Sequence, residues 1–310
     1  HQVALEKQGC FAPLDGGSGH RRPEPVRHDP AAPRDRGWPI PSIALQSLAH
    51  PVTYSAITIQ TGRYSGIMAS FRLLTYVKDR APRAGLLVDD TVVDLDSALR
   101  AHARKTGKTL AFSGATMRSV IENWAKARPM LAAIARDGAG RGVGAQPIGR
   151  TRLLAPLPEV GTIWCAGANY YDHAAEMGTS VEKAKIKPFF FIKAGGPTVI
   201  GPGAAARLPK WSKQIDWEAE IAVVIGRAGR NIKKADAMKH VAGYTILNDL
   251  SARDTLIRED WPFRHDWMRG KTFDTAAPMG PWITPASEIK DPQNLKIDLW
   301  VNDRHEQDTH

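Results

Sequence analysis

The 310-residue sequence predicts an α+β protein that is mostly β, with a small N-terminal α/β domain ahead of a larger β-rich one. Three observations carry this. Longer helical patterns fall at 96–105 and 115–136, and after residue 150, with few long helical patterns, the chain becomes a series of short apolar runs cut by Gly/Pro turns. The run Ile215-Asp216-Trp217-Glu218-Ala219-Glu220-Ile221-Ala222-Val223-Val224-Ile225 plants carboxylates in what otherwise reads as buried strand.

Residues 1–67 have a disorder-like composition, with a Gly-Ser cluster at 16–19 and prolines at 23, 25, 30, 33, 39 and 41. They are expected to be an upstream tail outside the fold. Phe71–Val77 is the first strand, and Ala84–Val88 with Thr91–Leu95 around Asp89-Asp90 reads as a β-hairpin. The two helices follow, then a glycine-rich linker at 137–144 that comes after a helix instead of a strand and so is no dinucleotide loop. The expected domains are therefore 68–150 and 151–310. Strands are expected at 162–166, 189–192, 217–225, 243–247 and 295–301, the last running into an Asn302-Asp303 turn. An edge strand left there without its partner suggests that the C-terminal part is missing.

The formal charge of +10 divides as +2 for 1–67, +7 for 68–150 and +1 for 151–310, so the acidic strand sits in a nearly neutral segment. No basic and aromatic residues interleave as in single-strand binders, and no nucleic-acid partner is expected. No apolar run nears the roughly 18 residues of a spanning helix, so no membrane role is expected. Cys10 and Cys165 cannot make a disulfide framework; Cys165 reads as a small buried thiol, and a reducing, cytoplasmic setting follows.

Along a strand, Asp216, Glu218 and Glu220 would share one face at roughly 6.5 to 7 Å spacing. A closed pocket tolerates that only with an oxygen-loving cation between them, whereas a solvated edge strand tolerates it without one. Asn169–Gly178 reads as a short helix with His173 and Glu176 on one face; a carboxylate beside an imidazole raises its basicity, as a base acting on water requires, although an ordinary surface pair has the same spacing. Gly243–Asp249 delivers Asp249 to a strand end as a third oxygen ligand, with Arg253 four residues on, either as a grip for a substrate carboxylate or as a helix-start ion pair.

Asn169-Tyr170-x-x-His173-x-x-Glu176, Asp216-x-Glu218-x-Glu220, Asn248-Asp249-x-Ser251-Ala252-Arg253-Asp254 and Lys271-Thr272-x-Asp274-Thr275 with Pro278-x-Gly280-Pro281 resemble, in order, the fumarylacetoacetate hydrolase family over about 150–310. The resemblance implies a β-roll catalytic domain and a homodimer. It implies that Glu218, Glu220 and Asp249 hold Mg²⁺, or else Mn²⁺ or Ca²⁺, that His173 with Glu176 activates water, that Lys271 steadies negative charge on a carbonyl oxygen, and that Arg253 anchors a substrate carboxylate. Asp216 is left outside the ligand set. The implied activity is hydrolysis of a carbon–carbon bond in a 2-oxo or 1,3-dioxo acid through an enolate. Isomerisation or decarboxylation of unsaturated oxo-diacids from aromatic catabolism is the alternative, and a non-catalytic remnant or binding protein the alternative of another class. The sequence departs from the family at Leu256, where glutamine is common, and at Pro197, where serine is common; the chain ends before a Gly-Thr-Pro segment of the pocket floor. Residues 255–270, with Trp261, Phe263, His265 and Trp267, are a candidate lid or a packed aromatic cluster.

Overall fold

The computed structural model describes residues 43–46, 51–59, 70–138, 144–167, 170 and 187–309, the first two segments as backbone strands only. In chain order the strands are β1 (Ile43–Gln46), β2 (Pro51–Ile59), β3 (Arg72–Lys78), β4 (Ala81–Val88), β5 (Thr91–Asp94), β6 (Gln146–Pro147), β7 (Leu153–Leu154), β8 (Thr162–Gly167) and β9 (Phe189–Ala194). There follow β10 (Val199–Ile200), β11 (Ile215–Asp216), β12 (Ala219–Ile225), β13 (Val241–Asn248), β14 (Ser251–Ala252), β15 (Ala277–Pro285), β16 (Ile297–Val301) and β17 (Arg304–Thr309). The helices are α1 (Leu95–Thr106), α2 (Met117–Glu122), α3 (Trp124–Asp137) and the single-turn α4 (Trp267–Lys271). The protein is mostly β, as expected. None of the described helices is long and apolar enough to cross a membrane.

Local chemistry explains the N-terminal elements. Asp79 and Arg80 both take positive φ (50° and 63°), the conformation of a two-residue hairpin turn whose twist matches the flanking strands β3 and β4. The third expected strand, Thr91–Leu95, stops at Asp94 because Asp94 becomes the N-cap of α1, its side chain accepting from the Ser97 N–H, and Gly107 closes that helix in the left-handed conformation at φ 69°. The helix expected over 115–136 is two helices, broken at Asn123, whose φ of −107° leaves the helical region and whose side-chain amide donates to the Ser119 carbonyl.

The strands form a nine-stranded sheet with the path β12-β13-β15-β3-β4-β5-β6, joined by β10 beside β15 and β7 beside β3. The expected boundary near residue 150 therefore does not separate two sheets: β15 pairs antiparallel with β3, Ile283 opposite Leu73. The same is true of the core, where Leu86, Leu99, Val120, Leu131 and Ile134 share one cluster with Val224, Ala242 and Ile283. Each fully buried aliphatic side chain there contributes about 1.5–3 kcal/mol of transfer free energy. A second sheet has the order β1-β2-β16-β17, with β2 antiparallel to β16. Residues 43–46 and 51–59, expected to lie in a tail outside the fold, are thus strands. The Asn302-Asp303 turn forms as expected and β17 completes its hairpin, although it remains an edge.

Gly243 marks where the nine-stranded sheet is tightest. A Cβ there would lie 2.2 Å from the Thr284 carbonyl oxygen and 2.8 Å from Ile283 Cγ2, a clash with backbone on the neighbouring β15 that no side-chain rotation relieves. Gly243→Ala is expected to cost about 1–3 kcal/mol by overpacking, read as a lowered thermal midpoint; an unchanged midpoint would show that the sheet yields at this position.

Candidate active site

Two strand breaks face each other. β11 and β12 are interrupted at Trp217-Glu218, and β13 and β14 at Asp249-Leu250, so the single strand expected over 217–225 is really two short ones. Asp216 is opposite Ser251 and Ala219 is opposite Asn248, and that shared register puts Glu218 directly across from Asp249. The Asp249 N–H donates to the Glu218 carbonyl at 2.8 Å, and the Glu218 N–H donates to the Asn248 side-chain oxygen at 3.0 Å. Two like charges opposite one another in a ladder destabilise it unless a cation lies between them.

Lys271 supplies that cation. It is the last residue of α4, whose first turn is capped by the Asp266 side chain accepting from the Arg269 N–H. The ammonium donates to Glu218 Oε1 at 2.9 Å and Asp249 Oδ2 at 2.8 Å from a side chain only 1% exposed. Burial opposes its charge, but Glu218 and Asp249 outweigh burial and hold its pKa above the ordinary lysine value. Phe191 lies beneath the ammonium at 5.0 Å and stacks on Trp267 of α4 with centroids 5.0 Å apart, which seats α4 on β9.

A second lysine went unnoticed in the sequence. Lys193, fully buried at the end of β9, donates to Asp249 Oδ1 at 2.6 Å and to the Leu250 carbonyl at 3.1 Å. Burial lowers its pKa, with Asp249 opposing, so the two lysines on one carboxylate are shifted in opposite directions. Its position in phase with Phe189 and Phe191 was the available signal: a lysine on the inward face of an apolar strand needs a buried partner.

Arg253 is buried and engaged by the protein's own acids. Its Nη2 lies 2.7 Å from Asp216 Oδ2, and it also pairs with Glu218 Oε1, while the Ser251 hydroxyl approaches the same Glu218 oxygen at 3.0 Å. Asp216, left outside the ligand set, is therefore the partner that orients Arg253. His173 and Glu176 lie outside the described residues. In the candidate lid, Trp267 belongs to the α4–β9 packing and His265 stacks on it at 5.6 Å, while His265, Trp261 and Phe263 are all exposed. Cys165, half-buried on β8, has its thiol pushed up to about 12, first by burial and then by Asp249, which keeps it protonated and unreactive.

Among the described residues four carboxylates (Asp216, Glu218, Glu220, Asp249) meet three fixed cations (Lys193, Lys271, Arg253). Glu220 receives no hydrogen bond from any described side chain, and burial together with Glu218 and Asp249 pushes its pKa up to about 8. An all-oxygen set with one carboxylate short of positive charge fits a hard divalent cation. The three expected ligands are nevertheless not gathered as a ready cage. Among the described residues the ligand atoms that lie within 4.8 Å of one another are those of Asp298, His305 and Asp308, a surface group on the β16–β17 hairpin that Lys296 already bridges at 3.0 and 3.3 Å.

Residues 162–310 match the family model described as the fumarylacetoacetate (FAA) hydrolase C-terminal domain. A Dictyostelium discoideum fumarylacetoacetate hydrolase domain-containing protein 2 homologue is 32% identical over 242 residues, 74% of this chain and 72% of its own length. The Xenopus laevis mitochondrial oxaloacetate tautomerase fahd2 is 44% identical over 150 residues, 48% of this chain and 45% of its own length. The chain thus spans about half the length of the first relatives it matches. Among solved structures, a Sphingobium maleylpyruvate hydrolase in complex with manganese(II) and pyruvate superposes with a TM-score of 0.54 at 27% identity, covering 77% of this chain and 76% of that one. With the family model matched over 162–310 and the Dictyostelium relative 32% identical over 74% of this chain and 72% of its own length, the chain belongs to the fumarylacetoacetate hydrolase family.

Proposed function

We propose that this protein is a divalent-metal-dependent enzyme that converts 2-oxo acids through an enolate, and that it catalyses keto–enol tautomerisation, as the likeness to oxaloacetate tautomerases supports, with solvent water taking the proton from carbon and returning it to oxygen. The observation that carries this is the buried Glu218–Asp249 pair bridged by Lys271, with Glu220 beside it short of a counter-charge. Glu218, Glu220 and Asp249 would hold the ion, Mn²⁺ or Mg²⁺. A divalent ion supplies electrophilic stabilisation of adjacent oxo and carboxylate oxygens.

The protein's own residues do the rest. Lys271 spends two of its three N–H donors on carboxylates, which fix its position and keep it charged. A permanently charged ammonium cannot act as a base; it donates its remaining N–H to oxygen on which negative charge develops. Lys193 immobilises Asp249 from behind, and Asp216 with Glu218 holds the Arg253 guanidinium at the edge of the cluster. Carbon–carbon hydrolysis is the second reading. It is favoured by the likeness to the maleylpyruvate hydrolase and needs His173 with Glu176 as the base for water. The same reading carries a small-molecule oxo-acid partner, a homodimer by family resemblance, and a cytoplasmic setting by cysteine usage.

The test combines metal titration and product analysis. Mn²⁺ is expected to bind stoichiometrically to the wild-type chain and not to Glu218→Gln or Glu220→Gln, and the Mn²⁺ form to accelerate decay of enol oxaloacetate followed by ultraviolet absorbance. Mass spectrometry on acylpyruvates reads hydrolysis. Saturation with Mn²⁺ without effect on any of these substrates would sink the proposal.

A further inference from the structure

We propose that Gln307 is a positioning residue for Glu218 and Glu220, acting through the backbone of the alanine between them; the inference rests on the proposed metal-binding role of those carboxylates. β12 is an edge of the nine-stranded sheet, and its first residue, Ala219, is nevertheless 1% exposed. Because the Glu218 carbonyl faces β13, where it accepts from Asp249, strand alternation turns the Ala219 N–H and C=O the other way. Among the described residues no strand pairs with that edge. The Gln307 carboxamide does: its Oε1 accepts from the Ala219 N–H at 2.9 Å and its Nε2 donates to the Ala219 carbonyl at 2.9 Å, across 88 residues of sequence.

The side chain thus imitates one residue of a neighbouring strand. Its aim comes from a bulge in β17: Leu299 is opposite Gln307 and Trp300 opposite His305, so Glu306 is an extra residue and the side chain after it is redirected. Only glutamine meets both needs from this position. Glutamate has no donor, lysine no acceptor, and asparagine is one methylene short. Glu218 and Glu220 flank Ala219 on the same face, so a rotation of the Ala219 peptide would swing both carboxylates together. Gln307 thereby couples their aim to the β16–β17 hairpin.

The experiment uses the full chain and Mn²⁺ as probe, with three readouts: Mn²⁺ affinity by calorimetry, hydrogen exchange of the segment containing Ala219, and the thermal midpoint. Gln307→Ala is expected to accelerate exchange at Ala219 and to weaken Mn²⁺ binding by about 10–100-fold, as outer partners of metal ligands do. Gln307→Asn, the milder change should the alanine variant fold poorly, is expected to fall between. A merely structural glutamine would lower the midpoint and leave Mn²⁺ affinity within twofold, and that result would overturn the inference alone. A wild-type chain that takes no Mn²⁺ would overturn the proposed function and this inference with it.

Discussion

Lys271→Met is expected to reduce turnover by about 100–1000-fold, the effect of removing one donor from a developing oxyanion. Mn²⁺ binding is expected to survive, or to tighten, because the lost ammonium repels a cation from the carboxylates that both would share. The two effects separate the residue's role from that of the ligands, whose loss removes binding and turnover together. The variant also removes the cation that Glu218 and Asp249 share, leaving Glu218 with Arg253 and Asp249 with Lys193, at a cost of about 3 kcal/mol without metal. Melting in chelator and in Mn²⁺ checks this, with the deficit expected to shrink when the ion is present. Unchanged turnover in Lys271→Met would remove the lysine from the chemistry.

Asp94→Ala is expected to be the most damaging single change away from the site, about 3–5 kcal/mol, because one fully buried carboxylate satisfies four groups. It accepts from the Ser97 N–H at 3.0 Å and the Ser97 hydroxyl at 2.8 Å, from Arg83 Nε and Nη2 at 3.2 Å each, and from the Tyr76 hydroxyl at 3.2 Å. Burial alone would raise its pKa; the hydrogen bonds from Arg83 and Ser97 overcome this and pull it down to about 2, from 3.8. A carboxylate depressed on folding stabilises the folded state above its unfolded pKa. That contribution, about 2 kcal/mol, is therefore fully present above about pH 5 and fades as pH falls towards 2. Denaturant melts between pH 6 and pH 2 should show the decline in the wild type and a flatter profile in Asp94→Asn. Parallel profiles would mean that Asp94 is not the group responsible.

Local pattern made several of the strands legible, though not the mid-sheet β15, and long-range pairing supplied what it could not. The alternation Asp216-x-Glu218-x-Glu220 placed three acids on one face because a strand repeats every two residues, and the spacing of apolar residues located α1 and the β4–β5 hairpin to within a few residues. The break at Trp217-Glu218 was invisible, since it exists only against the matching break at Asp249-Leu250 in another segment. Lys193 directly follows the apolar run 189–192, and its role shows only where Asp249, 56 residues on, accepts from it. Gln307 carried no signal, because its partner is a backbone group 88 residues away. The sheet formed by β1 and β2 with β16 was missed for the same reason: proline content spoke for disorder in 1–67 as a whole, and the strand that recruits 51–59 comes more than two hundred residues later.

The pairing of β15 with β3, and the core in which Val224, Ala242 and Ile283 pack among the helices, give the acidic strands no independent foundation. The platform that aims the carboxylates is the far end of the same slab that α1, α2 and α3 cover. A loosening of that helical layer is therefore expected to disturb the aim of Glu218 and Asp249 without touching a residue near them.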